Sequence, residues 1–300
     1  MRYLPHTPEE ITSMLATAGV SSLDALYSSI PPEARLGRPL ALEHPMDEPS
    51  LIRHLEELAQ KNQAASMLSF LGAGAYDHHF PPAADQLLLR SEFYTAYTPY
   101  QPEVAQGTLQ VIFEFQTIVS EILGLPVANA SMYDGASATA EAVVMARRLN
   151  GREHTLVSGG VHPHYLETVD TYVAGIGEGT RSITRVPVGK DGAEDVDALI
   201  AAITDNTASV VVGYPNFFGC VSDLRRLAEA AHQKGALLIT VTMDPYALAL
   251  IESPGAIGAD IAVGSSQRFG VPMGYGGPHA AYIATREEHK RQLPGRVVGV

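Results

Sequence analysis

The sequence predicts an α/β fold in which a mostly parallel sheet is covered by helices on both faces. Between residues 155 and 284, short runs rich in Val, Ile and Leu alternate with helical patterns. Strands that are apolar on both faces and joined by crossover helices are typical of buried parallel sheets. A hydrophobic fraction of 46% over 300 residues is sufficient for such a core. The predicted strands are 155–158, 183–188, 209–214, 236–242, 261–264 and 280–284, and the predicted helices between them are 162–174, 194–203 and 222–233.

Residues 1–65 are predicted to form a helical arm ahead of a large domain over 66–300. Thr7, Pro8 and Glu10 have the pattern of a capping box with proline in the first helical turn. Ser50 is placed to cap a later amphipathic helix of the arm. The arm is therefore expected to contain helices joined by proline-rich turns.

A long core helix is predicted over 102–123. Apolar residues recur there every three or four positions, as on one face of a helix. Gly124, with Pro126 just beyond it, is a typical helix end.

Charge and cysteine content narrow the possible functions. The formal net charge of −13 disfavours binding to nucleic acid or to anionic membranes, because those surfaces are negative themselves. A single cysteine, Cys220, allows neither an internal disulfide nor a cysteine-rich zinc site, as expected in a reducing compartment. The sequence has no long apolar stretch and no signal-peptide pattern, so it predicts a soluble cytoplasmic protein.

Several common site signatures are absent from the sequence. The glycines at 72–74 and 175–179 do not match the dinucleotide-binding fingerprint, and the Walker, HExxH, GxSxG and CxxC patterns do not occur. His162 and His164 are two apart, a spacing that could direct both imidazoles to a metal. Because no third ligand is evident, a solvated or core-edge pair is the favoured interpretation.

A stretch of small residues at 134–139 is a candidate phosphate cradle. It opens a predicted helix, whose first turn offers unpaired N–H groups and the positive end of the helix dipole. An ordinary helix cap by Asp134 explains the pattern equally well. The candidate cradle residues are Asp134, Gly135, Ser137 and Thr139.

Asp244 lies just after a very apolar predicted strand. Ligands of open α/β sheets bind at the carboxyl ends of the strands. A carboxylate there could keep a pyridine nitrogen protonated, as pyridoxal phosphate chemistry requires. A turn or cap aspartate is the equal alternative.

A glycine-dense loop over 264–278 separates two predicted strands. So many glycines indicate backbone torsions or close approaches that other residues do not allow. In pyridoxal phosphate enzymes of the aspartate aminotransferase fold, this segment carries the lysine that binds the cofactor. Here Gln267 and Arg268 stand in the loop, and neither an amide nor a guanidinium can form an imine. The lysines of the chain all lie elsewhere, at Lys61, Lys190, Lys234 and Lys290.

A tyrosine-rich segment precedes the long helix. It contains Tyr94, Tyr97, Tyr100 and Gln101 between prolines. The phenol groups could face a ligand or a neighbouring subunit, although simple core packing is the favoured interpretation for such a cluster taken alone.

Taken together, these segments closely resemble the P-protein family of the glycine cleavage system, pyridoxal-phosphate-dependent glycine decarboxylases. The resemblance covers nearly the whole chain, and its strings are too long and idiosyncratic for chance. The matching stretches are FLGAGAYDHHFP (70–81), YTAYTPYQPEVAQG (94–107), YDGASATAEA (133–142), GADIAVGSSQRFGVPMGYGGPHAAY (258–282) and PGRVVGV (294–300).

The resemblance implies an aspartate-aminotransferase-like large domain, the fold of type I pyridoxal phosphate enzymes. The short arm and the QRFGVPMGYGGP loop are similar to the N-terminal half of the family, called subunit 1 or the alpha subunit where the halves are separate chains. Family members continue beyond the position of Val300 into a smaller C-terminal domain, so a truncated chain is expected. Only the other half of the family binds the cofactor through lysine, in agreement with the lysine positions above.

The resemblance also implies the reaction and the partners. A partner subunit 2 would hold pyridoxal 5'-phosphate through its lysine in an alpha2beta2 complex. The complex would decarboxylate glycine and transfer the aminomethyl group to the lipoyl arm of H-protein, and this chain would not be active alone. Two alternatives stay open: a stand-alone binder or enzyme for a phosphorylated small molecule, and a purely scaffolding subunit.

The resemblance assigns two groups of residues in this chain. The tyrosine segment is expected near the partner's cofactor or at the subunit interface, through Tyr94, Tyr97, Tyr100 and Gln101. A vestigial cofactor site that no longer binds covalently is expected from Asp134, Gly135, Ser137, Thr139, Asp244, Gln267 and Arg268.

Overall fold

The computed structural model describes residues 5–68, 70, 72–74, 76–94, 97–274 and 279–299. The chain divides into two compact units, Met1–Leu68 and Ser69–Val300. Parts of five predicted segments lie outside the described residues: 1–4 in the helical arm, 71 and 75 in the first family stretch, 95–96 in the tyrosine segment, 275–278 in the glycine-dense loop and 300 in the last family stretch. The assignment of residues 1–65 and 66–300 as domains stays a prediction.

The first unit contains helices α1 (Pro8–Ala18) and α2 (Glu48–Gln60), with 3-10 turns at Asp24–Tyr27, Pro32–Ala34 and Ala64–Ser66. The capping box of α1 is confirmed: the Thr7 hydroxyl accepts from the Glu10 N–H at 3.3 Å, and the Glu10 carboxylate accepts from the Thr7 N–H at 2.7 Å. Ser50 is not the cap of α2, and that prediction is wrong. The cap is Asp47, whose carboxylate accepts from the Ser50 N–H at 2.8 Å, because α2 begins three residues earlier than the apolar pattern.

The second unit contains the remaining helices and the sheet. The long helix begins at Gln106 and not at residue 102, because residues 102–104 form a turn and Ala105 has non-helical torsions. It ends as predicted at Gly124, which has a φ of 64°. The helices are α3 (Pro82–Leu88), α4 (Ser91–Tyr94), α5 (Gln106–Leu123), α6 (Gly135–Asn150), α7 (Pro163–Val173), α8 (Val196–Ala202) and α9 (Arg225–Gln233).

Seven strands form one sheet within the described residues, in the order β1-β7-β6-β5-β4-β2-β3. Strands β2 to β6 are parallel to one another, whereas β7 is antiparallel to both β6 and β1. The mostly parallel α/β sheet predicted from the sequence is therefore confirmed, although the two-residue strand β1 was not predicted. The strands are β1 (Val127–Ala128), β2 (His154–Ser158), β3 (Ile183–Val186), β4 (Thr207–Gly213), β5 (Leu237–Thr242), β6 (Ile261–Ser265) and β7 (Ala281–Thr285).

Helices cover both faces of the sheet. Buried side chains of α6 and α7 pack on one face, and those of α8 and α9 pack on the other. Helix α5 covers β7 and β1 through a third cluster that contains Val119, Leu123 and Tyr282. No helix among the described residues is long and apolar enough to cross a membrane. The carboxyl ends of the parallel strands meet at one edge, where the candidate site residues follow β5 and β6.

Candidate functional site

The N-terminus of α6 is closed by the chain's own side chains. Asp134 is the N-cap, and its carboxylate accepts from the Ser137 N–H at 2.7 Å. The Ser137 hydroxyl donates back to the Asp134 carbonyl at 3.1 Å, and the Thr139 hydroxyl donates to the Gly135 carbonyl at 2.7 Å. The side chains predicted to form a phosphate cradle thus bond within the first turns of the helix. Of the two roles that the sequence allowed for Asp134, the structure shows the helix cap.

Tyr165 of α7 lies directly against Gly135. A Cβ atom at position 135 would overlap the phenol ring, so only glycine fits there. Burial is the main cause that raises the pKa of the Tyr165 hydroxyl, with Asp134 and Tyr76 adding to it. The phenol is therefore neutral and occupies the space in front of the helix.

Asp244 forms an ion pair with Arg268 at the carboxyl edge of the sheet. One carboxylate oxygen accepts from the Tyr246 N–H at 3.1 Å, as in a turn cap, and the other accepts from Arg268 Nη1 at 2.6 Å. Arg268 lies 5.3 Å from the centre of the Tyr76 ring and 5.1 Å from that of Tyr246. The negative charge of Asp244 is thus balanced by a cation that two aromatic rings flank.

Gln267 is buried beside this pair. Its amide nitrogen donates to the Val271 carbonyl at 2.7 Å, while its amide oxygen has no partner among the described residues. Two of the chain's lysines are exposed and paired elsewhere: Lys234 with Asp205 and Lys290 with Glu287. These two lysines are therefore engaged with acidic partners other than the groups around Gln267.

A cavity of about 260 Å³ lies at the same edge, between the start of α6 and the start of α7. His162 uses both ring nitrogens: Nε2 lies 3.0 Å from the Ala73 carbonyl, and Nδ1 accepts from the His164 N–H at 3.1 Å. The described residues contain no group of three His, Cys, Asp or Glu that could hold a metal. The cavity is lined by Ala73, Gly74, Asp134, Gly135, Ala136, His162, His164, Tyr165, Met243, Ser265 and His279.

Sequence reasoning missed the aromatic residues of this edge. Tyr76, Tyr165 and Tyr246 were not singled out, because a tyrosine at helical spacing or in a loop carries no signal by itself. His162 followed by Pro163 could have been recognised as a helix cap with proline in the first turn, which is the role that it has.

The tyrosine segment forms a separate cleft. Tyr97 and Tyr100 are 84% and 66% exposed, so core packing, the favoured interpretation of the cluster alone, does not apply to them in this chain. Arg296 lies 5.4 Å from the centre of the Tyr100 ring. This cleft of about 440 Å³ shares no lining residue with the cavity at the sheet edge, so the structure does not bring the two predicted groups into one pocket.

Acidic and basic side chains rim this cleft. Glu92, one of its lining residues, pairs with Arg90 at 2.7 Å. The hydrogen bond from Arg90 lowers the pKa of the Glu92 carboxyl to about 2. Glu92 is therefore ionised at neutral pH, and the pair presents fixed charges beside the exposed tyrosines.

The carboxyl edge of this chain does not fit pyridoxal phosphate. The phosphate position at the start of α6 holds the negative carboxylate of Asp134, and the partner for a ring nitrogen, Asp244, is already paired with Arg268. No lysine stands in the described part of the loop that follows β6. The edge is built like a cofactor site, but each of its charged groups has a partner within the chain.

Comparison with known proteins gives a consistent result. The family model described as "Glycine cleavage system P-protein" matches residues 1–300. "Probable glycine dehydrogenase (decarboxylating) subunit 1" of Sorangium cellulosum (strain So ce56) is 72% identical over 301 residues, which cover 100% of this chain and 66% of that protein. The protein of the same description from Anaeromyxobacter dehalogenans (strain 2CP-C) is 50% identical, again over 100% of this chain and 66% of its own length. The chain thus spans just under two thirds of the length of these relatives.

Solved structures agree with the sequence comparison. A crystal structure of glycine decarboxylase (P-protein) of the glycine cleavage system, in inhibitor-bound form, is 46% identical with a TM-score of 0.84, covering 99% of this chain and 65% of that one. A sphingosine-1-phosphate lyase of Burkholderia pseudomallei is 16% identical with a TM-score of 0.60 over 88% of this chain and 64% of that one, and therefore shows the fold alone.

Proposed function

Because the chain belongs to the family of the glycine cleavage system P-protein, we propose that it is the subunit of glycine dehydrogenase (decarboxylating) that holds no cofactor of its own. The observation that carries this proposal is the Asp244–Arg268 ion pair, with Arg268 in a loop after β6 whose sequence contains no lysine. An enzyme complex built on this chain needs its cofactor on another subunit. Pyridoxal 5'-phosphate is accordingly proposed to be bound through a lysine of the partner subunit 2.

The proposed reaction of the complex uses glycine and the lipoyl disulfide of H-protein. The carboxylate of glycine leaves as CO2, and the electron pair of the broken C–C bond forms a bond from the aminomethyl carbon to one lipoyl sulfur. The S–S bond breaks, and the other sulfur takes up a proton. Glycine is thereby oxidised and the disulfide reduced, so no further redox partner is required.

The exposed side chains of residues 87–118 support a subunit interface in the second unit. Large apolar side chains stay on the surface of α3, α4, α5 and the tyrosine segment, which is unusual for a protein that acts alone. The exposed residues are Leu87, Leu88, Leu89, Phe93, Tyr94, Tyr97, Tyr100, Val104, Val111, Phe113 and Ile118. We propose that partner subunit 2 covers this surface in an alpha2beta2 complex.

The tyrosine cleft is the proposed contribution of this chain to the shared site. Tyr97 and Tyr100, with Tyr94 and Gln101, would point their polar groups at the partner's substrate or cofactor. Arg296, which lies over the Tyr100 ring, would hold that ring in place. The residues of the sheet edge from Asp134 to Arg268 are proposed as a vestigial site without a role in the chemistry.

Borohydride trapping tests the division of labour. The complex of this chain with a partner carrying a cofactor lysine is reduced in the presence of pyridoxal phosphate, digested and analysed by mass spectrometry. We expect a single stoichiometric pyridoxyl-lysine, on the partner. The control is this chain reduced alone, where labelling should be substoichiometric and spread over surface lysines. A stoichiometric label on Lys61, Lys190, Lys234 or Lys290 contradicts the proposal.

Substitution of the tyrosine hydroxyls tests the shared site against a purely scaffolding role. The double substitution Tyr97→Phe with Tyr100→Phe is expected to lower the kcat/KM of the complex for glycine decarboxylation by about tenfold or more. A tenfold loss corresponds to about 1.4 kcal/mol, which is the contribution of one hydrogen bond. Tyr133→Phe is the matched control, since Tyr133 is 86% exposed and lines a different cavity. Unchanged activity of the double variant in an intact complex favours the scaffold.

A further inference from the structure

The carboxyl edge of the sheet carries two charges in the places where an open α/β sheet binds the charged ends of a ligand. Asp134 places a carboxylate on the first turn of α6, a helix of 16 residues. Arg268 places a guanidinium against Asp244, two residues after the end of β5. The Asp134 charge is negative and lies at a helix N-terminus, where anions are stabilised. The Arg268 charge is positive and lies beside the carboxylate of Asp244.

The negative position is engaged by the chain itself. The Asp134 carboxylate takes the Ser137 N–H at 2.7 Å, so that donor is not available to a second anion. Tyr165 fills the space beside Gly135, and its neutral hydroxyl faces the cap. A phosphate that entered would meet a carboxylate of its own sign, which disfavours it.

The positive position is also filled. Arg268 is 20% exposed and Asp244 is 34% exposed, so water screens the pair only in part. The guanidinium lies over the rings of Tyr76 and Tyr246, and the Tyr246 hydroxyl donates to the Arg268 carbonyl at 3.0 Å. A flat cation held against aromatic rings and a carboxylate has the shape and charge of a protonated pyridine ring.

The two positions belong to one connected cluster. Tyr165 contacts the Asp134–Gly135 turn, and Tyr76 is among the groups that raise the pKa of its hydroxyl, after burial and Asp134. Tyr76 in turn packs on Arg268. His162 stacks on Tyr165 at 5.1 Å and binds the Ala73 carbonyl through Nε2. The segment that carries Ala73 and Tyr76 is therefore held on the sheet edge at both positions.

We propose that Asp134 and Arg268 are an internal replacement for a phosphorylated pyridine ligand. The Asp134 carboxylate takes the place of the phosphate, and the Arg268 guanidinium takes the place of the ring cation. The pair excludes such ligands from this chain, an inference that rests on the proposed function, in which the cofactor of the complex binds on the partner alone.

Calorimetric titration of the full 300-residue chain with pyridoxine 5'-phosphate tests this assignment. This probe has a phosphate and a pyridine ring but no aldehyde, so it cannot react with lysines. Asp134→Ser removes the carboxylate and keeps a good helix cap, while Arg268→Ala opens the space over the two rings. We expect no saturable binding by the wild-type chain. The double variant should bind saturably, with a Kd at least about tenfold below the highest ligand concentration at which the wild type shows no binding.

Adding Asp244→Asn to the double variant is the matched control. It removes the charge that would bind the pyridine nitrogen, so the gained affinity should fall by about tenfold or more. Saturable binding by the wild-type chain, or its absence in a double variant with a native circular dichroism spectrum, overturns the proposal.

A second measurement applies if the double variant does not fold. Asp134→Ser alone keeps the cap, and its Tm is compared in inorganic phosphate and in chloride of equal ionic strength. A phosphate-dependent rise in Tm for this variant but not for the wild type supports the assignment, and equal responses contradict it. The partner subunit is absent from all these assays, so their outcome is independent of the borohydride experiment on the complex.

Discussion

Two aspartates pair with arginine at opposite edges of the sheet, and they differ in burial. Asp260 precedes β6 at the amino edge and has a side chain that is only 3% exposed, with Arg286 Nε at 2.9 Å. Asp244 follows β5 at the carboxyl edge and is 34% exposed, with Arg268 Nη1 at 2.6 Å. The two carboxylates thus differ about tenfold in exposure, although Arg286 is 36% exposed and Arg268 only 20%.

The partners of the two aspartates explain what each pair does. Asp260 also accepts from the Leu238 N–H at 2.7 Å and lies 2.8 Å from His232 Nε2, so it joins α9, β5 and the end of β7. Among the described residues, the Asp244 carboxylate accepts from Tyr246 and Arg268, both at its own edge. The comparison teaches that the buried carboxylate of Asp260 holds the elements of the sheet together, whereas the partly exposed carboxylate of Asp244 shapes a surface where a ligand could otherwise bind.

The largest expected effect is that of Asp260→Asn. It removes the charge of a carboxylate that is only 3% exposed and that accepts from Arg286 and from the Leu238 N–H, which should lower the free energy of unfolding by about 2–3 kcal/mol. Asp197→Asn is the control, because Asp197 and Arg226 form an exposed pair at 3.0 Å and should contribute no more than about 1 kcal/mol. Urea denaturation of both variants measures the difference, and equal losses would show that burial does not separate the two kinds of pair.

Glu194 extends the comparison to a buried carboxyl group with no arginine. Burial raises its pKa, although hydrogen bonds from Ser158 and Asn216 act in the opposite direction. Because the pKa is higher in the folded state, the stabilisation is complete below the pKa of the unfolded carboxyl and is lost as the pH rises through the folded value. The slope cannot exceed about 1.4 kcal/mol per pH unit for one proton.

Glu194→Gln should therefore remove this pH dependence. Stability measured by denaturation between acidic and neutral pH is expected to fall less steeply with rising pH in the variant than in the wild type. Glu229→Gln, at an exposed position of α9, should keep the wild-type slope. A Glu194→Gln curve that runs parallel to that of the wild type would mean that Glu194 does not titrate differently on folding.

Arg268→Ala should have a smaller effect than Asp260→Asn. Its ion pair is half-exposed, so the expected loss is about 1.5 kcal/mol, near the lower end for a hydrogen bond to a charged group. A double-mutant cycle with Asp244→Asn measures the coupling directly. Additive losses in the cycle would show that the two side chains do not interact in solution.

Asp134 should show the smallest effect. Asp134→Ala removes the α6 cap and should cost about 1 kcal/mol, while Asp134→Ser should cost only a few tenths because serine caps nearly as well. Thermal unfolding of the two variants checks the difference. A large loss for Asp134→Ser would mean that the charge, and not the cap, stabilises this turn.

Much of the fold was predictable because it depends on local patterns. The capping box at Thr7, the helix end at Gly124 and the apolar strands of the sheet all follow from neighbouring residues. The errors lie where several local solutions compete. Asp47 and Ser50 are both good caps, and only the observed start of α2 selects Asp47.

The candidate site was predictable only in part. The sequence alone placed Asp134 at the start of a helix, Asp244 after a strand, and Gln267 with Arg268 in a loop without lysine. It left open whether Asp134 binds a ligand or caps α6, since both roles use the same residue types. The structure places the Asp134 carboxylate on the Ser137 N–H and so selects the cap.

The lysine positions and the alternation of strands and helices were therefore determined by the sequence itself, because chemistry and local periodicity can be read residue by residue. The pairing of Asp244 with Arg268, 24 residues apart, was decided only by the tertiary structure. The same holds for the packing of Tyr76 on that arginine and of Tyr165 on Gly135. Such contacts depend on which strand ends become neighbours in the sheet, and the spacing of residues along the chain does not encode the order of the strands.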